Sequence, residues 1–194
     1  MKDINTVGNS TPYGYCKVNN ALYFSHDDEV HGHELWQTDG TAIGTYLVKD
    51  VNTGSIGSFV RNMVEFNGSL YFATYTDGHG YKLWKSDGTQ AGTILVKEIY
   101  GWVNNSSNPQ LLTNCGNYLL FTATDGINGD EKWKSDGTTM LLDITTGYLG
   151  SDITEIFTSF RCFLIIFTSP YKTHQPQKMG FGGRHLVAFL VAVR

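Results

Sequence analysis

"ELWQTDGTAIGTYLVKDV", from Glu34 to Val51, returns as "KLWKSDGTQAGTILVKEI" from Lys82 to Ile99 and, altered, as "EKWKSDGTTMLLDI" from Glu131 to Ile144. Trp36 and Trp84 lie 48 residues apart, and Trp84 and Trp133 lie 49 apart. Phe24, Phe72 and Phe121 each precede their tryptophan by 12 residues. Repetition at a fixed period of this length marks an array of supersecondary units, each too small to bury its apolar face alone.

Inside one unit the apolar period is two, which argues for strands. "FVRNMVEF" (Phe59 to Phe66) runs into Asn67-Gly68, a pair suited to a turn that needs positive φ at both central residues. "SLYFATYT" (Ser69 to Thr76) returns with Leu70 and Phe72 on one face and Tyr71 and Ala73 on the other. The loop Asp77 to Gly80 reverses the chain into "YKLWKS" (Tyr81 to Ser86), and Asp87-Gly88 hands over to an outgoing strand around Thr93 to Ile99. The unit reads as a four-stranded antiparallel meander, and the recurring phrase as its third strand, turn and fourth strand. Four short strands gain stability chiefly by packing on a copy of themselves, with Trp36, Trp84 and Trp133 between the sheets. The fold class is therefore all-β, with β-propeller-like meanders in an incomplete ring of three blades and part of a fourth. The divisions are 1–5 as the end of a preceding repeat, 6–52, 53–100 and 101–146 as repeats, 147–169 as a partial fourth, and 170–194 as an off-pattern basic tail. The opening "KDIN" matches "KDVN" at Lys49 to Asn52, so the chain starts partway through a unit.

All 18 acidic residues lie at or before Glu155 against 9 basic ones, a net of −9, and the 5 later basic residues bring the total to −4. An acidic body matches nucleic acid poorly. The longest apolar runs, Phe163 to Phe167 and Leu186 to Val193, fall short of the roughly 18 residues a spanning helix needs. Cys16, Cys115 and Cys162 occupy unlike places in the repeat, so spacing draws no disulfide framework and no CxxC metal pair. Sequons at Asn9, Asn67, Asn104 and Asn105 matter only in a eukaryotic secretory setting. Beyond Ser169 neither motif nor acid recurs, which reads as a shifted frame or as a genuine basic tail, and no function is assigned there.

"ELWQTDGTAIGT" and "KLWKSDGTQAGT", followed by "LVKD" and "LVKE", closely resemble the ELWxxDGT repeat, a tandem module of large, mostly bacterial, secreted or surface proteins. The resemblance covers Lys2 to about Ile144. It implies a propeller-like β repeat with an extracellular or cell-surface address, and no reaction. The third copy departs from it: Lys132 stands where "ELW" has Leu, and the interval from turn Asp to strand Ile shortens from 12 residues to 8.

Asp39-Gly40, Asp87-Gly88 and Asp136-Gly137 recur with the scaffold, so these carboxylates read as turn acceptors rather than ligands. The loops between second and third strands are the variable ones. Asp27, Asp28, His31 and His33 could meet at a zinc ion, yet the second copy offers only Asp77 and His79. Asp125, Asn128 and Asp130 place oxygens at alternating positions without the downstream bidentate Glu of a calcium loop; calcium is the one cofactor this leaves open. No GxSxG, HExxH, P-loop or dinucleotide turn is present. The expectation is a non-enzymatic extracellular scaffold for binding or adhesion, its partner a carbohydrate or protein, with further repeats or self-association completing a ring. A propeller-fold glycan hydrolase and a pure spacer are the alternatives.

Overall fold

A computed structural model describes residues 2–6, 8, 11–101, 105–127, 129–137, 140–141, 165–168 and 186–189. Among them, three four-stranded antiparallel sheets follow one another along the chain. The first holds β1 (Tyr13–Val18), β2 (Ala21–Asp27), β3 (His33–Thr38) and β4 (Tyr46–Lys49). The second holds β5 (Arg61–Phe66), β6 (Ser69–Thr76), β7 (Gly80–Ser86) and β8 (Ile94–Leu95). The third holds β9 (Gln110–Asn114), β10 (Leu119–Thr124), β11 (Asp130–Ser135) and β12 (Met140–Leu141). Strands pair strictly in chain order, so each sheet is a meander, and the described sheets form no closed ring. A separate antiparallel pair, β13 (Ile165–Thr168) and β14 (Leu186–Phe189), joins the segment assigned to a fourth unit to the one assigned to a tail. Within the described residues there is no helix, and so none long and apolar enough to cross a membrane.

Local chemistry explains the chain reversals. Asn67 and Gly68 both take positive φ, +49° and +74°, and Phe66 pairs directly with Ser69 across that two-residue turn. The Asp-Gly loops are built differently from a two-residue hairpin. Among the described residues only Gly40, Gly88 and Gly137 have positive φ there, and in the first two copies the loop runs on to a threonine. Asp87 Oδ1 accepts from the Thr89 N–H (2.9 Å) and hydroxyl (2.7 Å), and Thr89 Oγ1 in turn accepts from the Gly92 N–H (2.9 Å). The Thr93 hydroxyl donates to Thr89 O at 2.7 Å and meets Ser86 Oγ at 2.7 Å. Asp39, Thr41, Gly44, Thr45 and Thr38 repeat this network in the first sheet. A Cβ on Gly44 or Gly92 would collide with the carboxylate of Asp39 or Asp87, so the second glycine of "DGTxxGT" is required by close approach.

The alternation of side chains turns each sheet into a two-faced layer. Tyr23, Leu35 and Val48 of the first sheet share one core cluster with Leu70 and Phe72 of the second, Trp84 packing against it. One repeat later, Tyr71 and Leu83 of the second sheet share a cluster with Leu119 and Phe121 of the third, joined by Val96 and Trp133. Adjacent residues Tyr71 and Phe72 thus serve opposite junctions, which makes the second sheet a filling between two neighbours. Lys49 lies over the Trp84 ring (5.6 Å) with its ammonium on Thr93 O (2.8 Å). Lys2 makes the same pair of contacts with Trp36 (5.7 Å) and Thr45 O (3.0 Å), so the first described residues serve the first sheet as the end of the first unit serves the second.

Two residues before each tryptophan sits a buried charge. The Glu34 carboxylate accepts from the N–H groups of Val51 and Asn52, both at 3.0 Å, and from the Ser58 hydroxyl at 2.6 Å. It pins the segment leaving the first meander to the third strand of that meander. Lys82 takes the equivalent place and donates to the Glu98 carboxylate and to Tyr100 O. This draws the chain off the ladder early: Val96 still donates to Leu83 O at 2.9 Å, but β8 ends at Leu95 where the repeat pattern led to an expected strand reaching Ile99. The cysteines also separate, Cys16 being a free thiol and Cys115 disulfide-bonded, a link that spacing could not draw.

Candidate functional site

The first two meanders reverse between their second and third strands at the end of the sheet where the linker to the next meander runs. His33 O accepts from the N–H groups of Ser58 (2.9 Å) and Phe59 (3.0 Å), and Tyr81 O accepts from the Asn108 N–H (3.2 Å). Gly32 and Gly57, at φ +67° and +75°, allow the two backbones to touch, since a Cβ on either would strike the other strand. Asn52 extends the seam, accepting the Asp77 N–H at 2.8 Å and donating to Gly57 O at 2.9 Å.

The first loop is held by its own carboxylates. Asp27 Oδ1 accepts the Glu29 N–H (2.7 Å), and Asp28 Oδ1 accepts those of Val30 (3.0 Å) and His31 (2.8 Å). Asp28 Oδ2 also meets His31 Nδ1 at 2.7 Å. Burial pushes the Asp28 pKa up, but the His31 and Val30 donors outweigh it and leave that carboxyl below its ordinary value. The same hydrogen bond raises the His31 imidazole. His33 points elsewhere, its ring 5.2 Å from Tyr13 and 5.9 Å from Phe59. His31 and His33 therefore do not converge. In the second loop the His79 N–H caps Thr76 O at 3.1 Å, and the charge of Asp77 raises the phenol of Tyr75. In the third, Asp125 Oδ1 accepts the Ile127 N–H at 2.8 Å, Asp130 is exposed at the start of β11, and Asn128 lies outside the described residues. No group of three His, Cys, Asp or Glu side chains converges on a metal position among the described residues.

A different cluster emerges at the first strands of the three sheets, where β1, β5 and β9 lie next to one another in turn. Each of these strands carries an irregularity after its first residue, with Gly14, Asn62 and Leu111 at φ +66°, +53° and +54°. Such bulges re-aim the side chain beside them. The residues so placed are Tyr13, Arg61 and Gln110. Tyr13 stacks on His33 of its own sheet, and the Arg61 guanidinium lies 3.5 Å from the centre of the Tyr81 ring, the position equivalent to His33. Arg61 also donates to Asn108 Oδ1 at 2.7 Å. The Tyr13 phenol is raised by burial, lowered by Ser25, raised by Tyr81 and lowered by Arg61, which places the two groups within one field. Tyr13 and Phe59 remain 38% and 37% exposed. Sequence reasoning named His33 as a ligand candidate but missed its companions. The signal was the contrast of residue types at one repeat position: Tyr13, Arg61 and Gln110 match in place and in nothing else.

No family model and no curated protein sequence matches the chain.

Proposed function

We propose that the chain is a run of ELWxxDGT-type repeats acting as a non-enzymatic binding or adhesion scaffold outside the cell, its ligand a carbohydrate or a protein, with further repeats or copies extending the array. One observation carries this reading. The residues that recur with the period are consumed in building the meanders: Asp39 and Asp87 spend their lone pairs on their own loops. The residues that differ between copies, from Asp27 to His33 and from Asp77 to Tyr81, sit in corresponding loops at the ends of rigid sheets, the usual division between scaffold and binding surface. A hydrolase would need two carboxylates facing a common substrate position. Asp27, Asp28 and Asp125 are instead engaged by backbone donors.

The test is a glycan array probed with the intact protein, with products of the retained glycans assayed afterwards. Retention without release of reducing ends is expected. Release of reducing ends would favour the hydrolase, and a protein that retains neither glycan nor extracellular protein would be a spacer.

A further inference from the structure

We propose that the junction of the first two meanders is a binding site for carboxylate-bearing saccharides, with Arg61 as the anion anchor and Tyr13, His33, Phe59 and Tyr81 as the ring-stacking wall. The proposal rests on the binding-scaffold reading above and gives it a ligand class.

Arg61 is the focus because neutral groups hold its charge in place. Its body of sequence carries 18 acidic residues, yet among the described residues Arg61 forms no ion pair. One amino group donates to Asn108 Oδ1, the planar face rests on Tyr81, and the buried Nε has no hydrogen-bond partner. A guanidinium held in this way is already ordered, so a carboxylate that reaches its remaining N–H groups gains a charge-assisted hydrogen bond at little further ordering cost.

The rings around it specify what carries that carboxylate. Tyr13, His33 and Phe59 form a tilted series with centroids 5.2 and 5.9 Å apart, and Tyr13 and Phe59 are partly exposed. Flat apolar faces beside fixed polar groups suit the C–H face of a sugar ring, with the carboxylate directed to Arg61. An acidic peptide would dock better on an unpaired strand edge. β1, β5 and β9 are the outermost strands of their sheets and approach one another without pairing, so a peptide is the competing occupant and polyglutamate is the probe that tests it. The third meander offers Gln110 and Asp130 at the places of Arg61 and Tyr81, so the site belongs to one junction and is not repeated with the scaffold.

The experiment measures binding of the intact protein to polygalacturonate, alginate, hyaluronate and a sialylated glycan, each beside its carboxyl-reduced form, and to polyglutamate. We expect at least one acidic saccharide to bind, its reduced form to bind about tenfold or more weakly, and Arg61→Gln to cause a loss of similar size. Arg61→Lys should fail to restore full affinity, because the charge remains and the stacked guanidinium does not. Tyr13→Ala, at an exposed ring, should weaken binding without altering the folded state. Equal binding of acidic and reduced forms, indifference to Arg61→Gln in a folded variant, or preference for polyglutamate would each overturn the proposal. Binding confined to neutral glycans would overturn it while leaving the scaffold reading intact. Failure to bind any glycan or protein would remove both.

Discussion

In the second meander Leu83 is fully buried on the face turned to the third sheet, in one cluster with Phe66, Tyr71, Leu119 and Phe121. The third meander puts Lys132 at the same step of its strand, only 5% exposed and with its pKa pushed down to about 8 by burial and back up in part by Glu131. The Asp87 loop runs through Thr89 and Gly92 to Thr93, and the third copy shares the rung from the Gly137 N–H to Ser135 Oγ at 3.0 Å. The lesson is that a repeat position is dictated by the neighbour its face meets. Where the second sheet meets the third, the position is Leu; in the third sheet the same step carries a buried lysine.

The largest expected effect is on the sandwiched sheet. Phe72→Ala should cost about 3–5 kcal/mol, since the ring is fully buried between two sheets, while Leu120→Ala on the half-buried far face of the third should cost roughly 1 kcal/mol. Equal losses in denaturant titrations would break the comparison. The next effect is a pH dependence. Burial pushes Glu34 up to about 7, against the donors from Ser58, Val51 and Asn52 that pull it down. A raised carboxyl binds more protons folded than unfolded between its ordinary value of 4.5 and about 7. Its contribution to stability is therefore complete below 4.5 and falls as pH rises through about 7, by about 3 kcal/mol in all. Unfolding midpoints at pH 5 and pH 8 should differ in that direction, and Glu34→Gln should flatten the slope in this window.

Lys132 has the opposite sign. Its folded pKa is depressed from 10.5 to about 8, so the unfolded chain binds more protons in that interval and stability rises with pH across it. Lys132→Gln should flatten that rise between about pH 8 and pH 10.5, read in the same denaturant titrations. The smallest effect is in the loop. Gly92→Ala forces the Asp87 carboxylate away from Thr89 and should cost about 1–2 kcal/mol. In an Asp87→Ala background the same change should cost almost nothing, a non-additivity that a calorimetric double-mutant cycle reads directly.

Much of this fold was legible because period and turn chemistry are local. The 48-residue spacing located the meanders, and Asn67-Gly68 located a hairpin to the residue. Other features depended on contacts across sheets. That Trp84 serves one junction and Leu83 the other follows from strand alternation, but which face met which neighbour needed the stacking. The early end of β8 follows from burying Lys82, which needs Glu98 and Tyr100 at hand. The loop carboxylates were readable as turn acceptors at Asp39 and Asp87. Asp28 was read as a ligand because its commitment to His31 and Val30 is a matter of loop geometry. The aromatic and Arg61 cluster was hidden for the converse reason, since its members come from β1, β3, β5, β7 and two linkers.

Oxidative footprinting of Tyr71 and Phe72 tests most directly whether the sheets lie face to face. These neighbours point to opposite sides of β6, so an isolated meander must leave one of them open to solvent. Protection of both side chains, with Tyr15 at 60% exposure oxidised rapidly in the same sample, is the expected result. Oxidation of either Tyr71 or Phe72 at the rate of Tyr15 would mean that the second sheet has a bare face, and the stacked arrangement would be wrong.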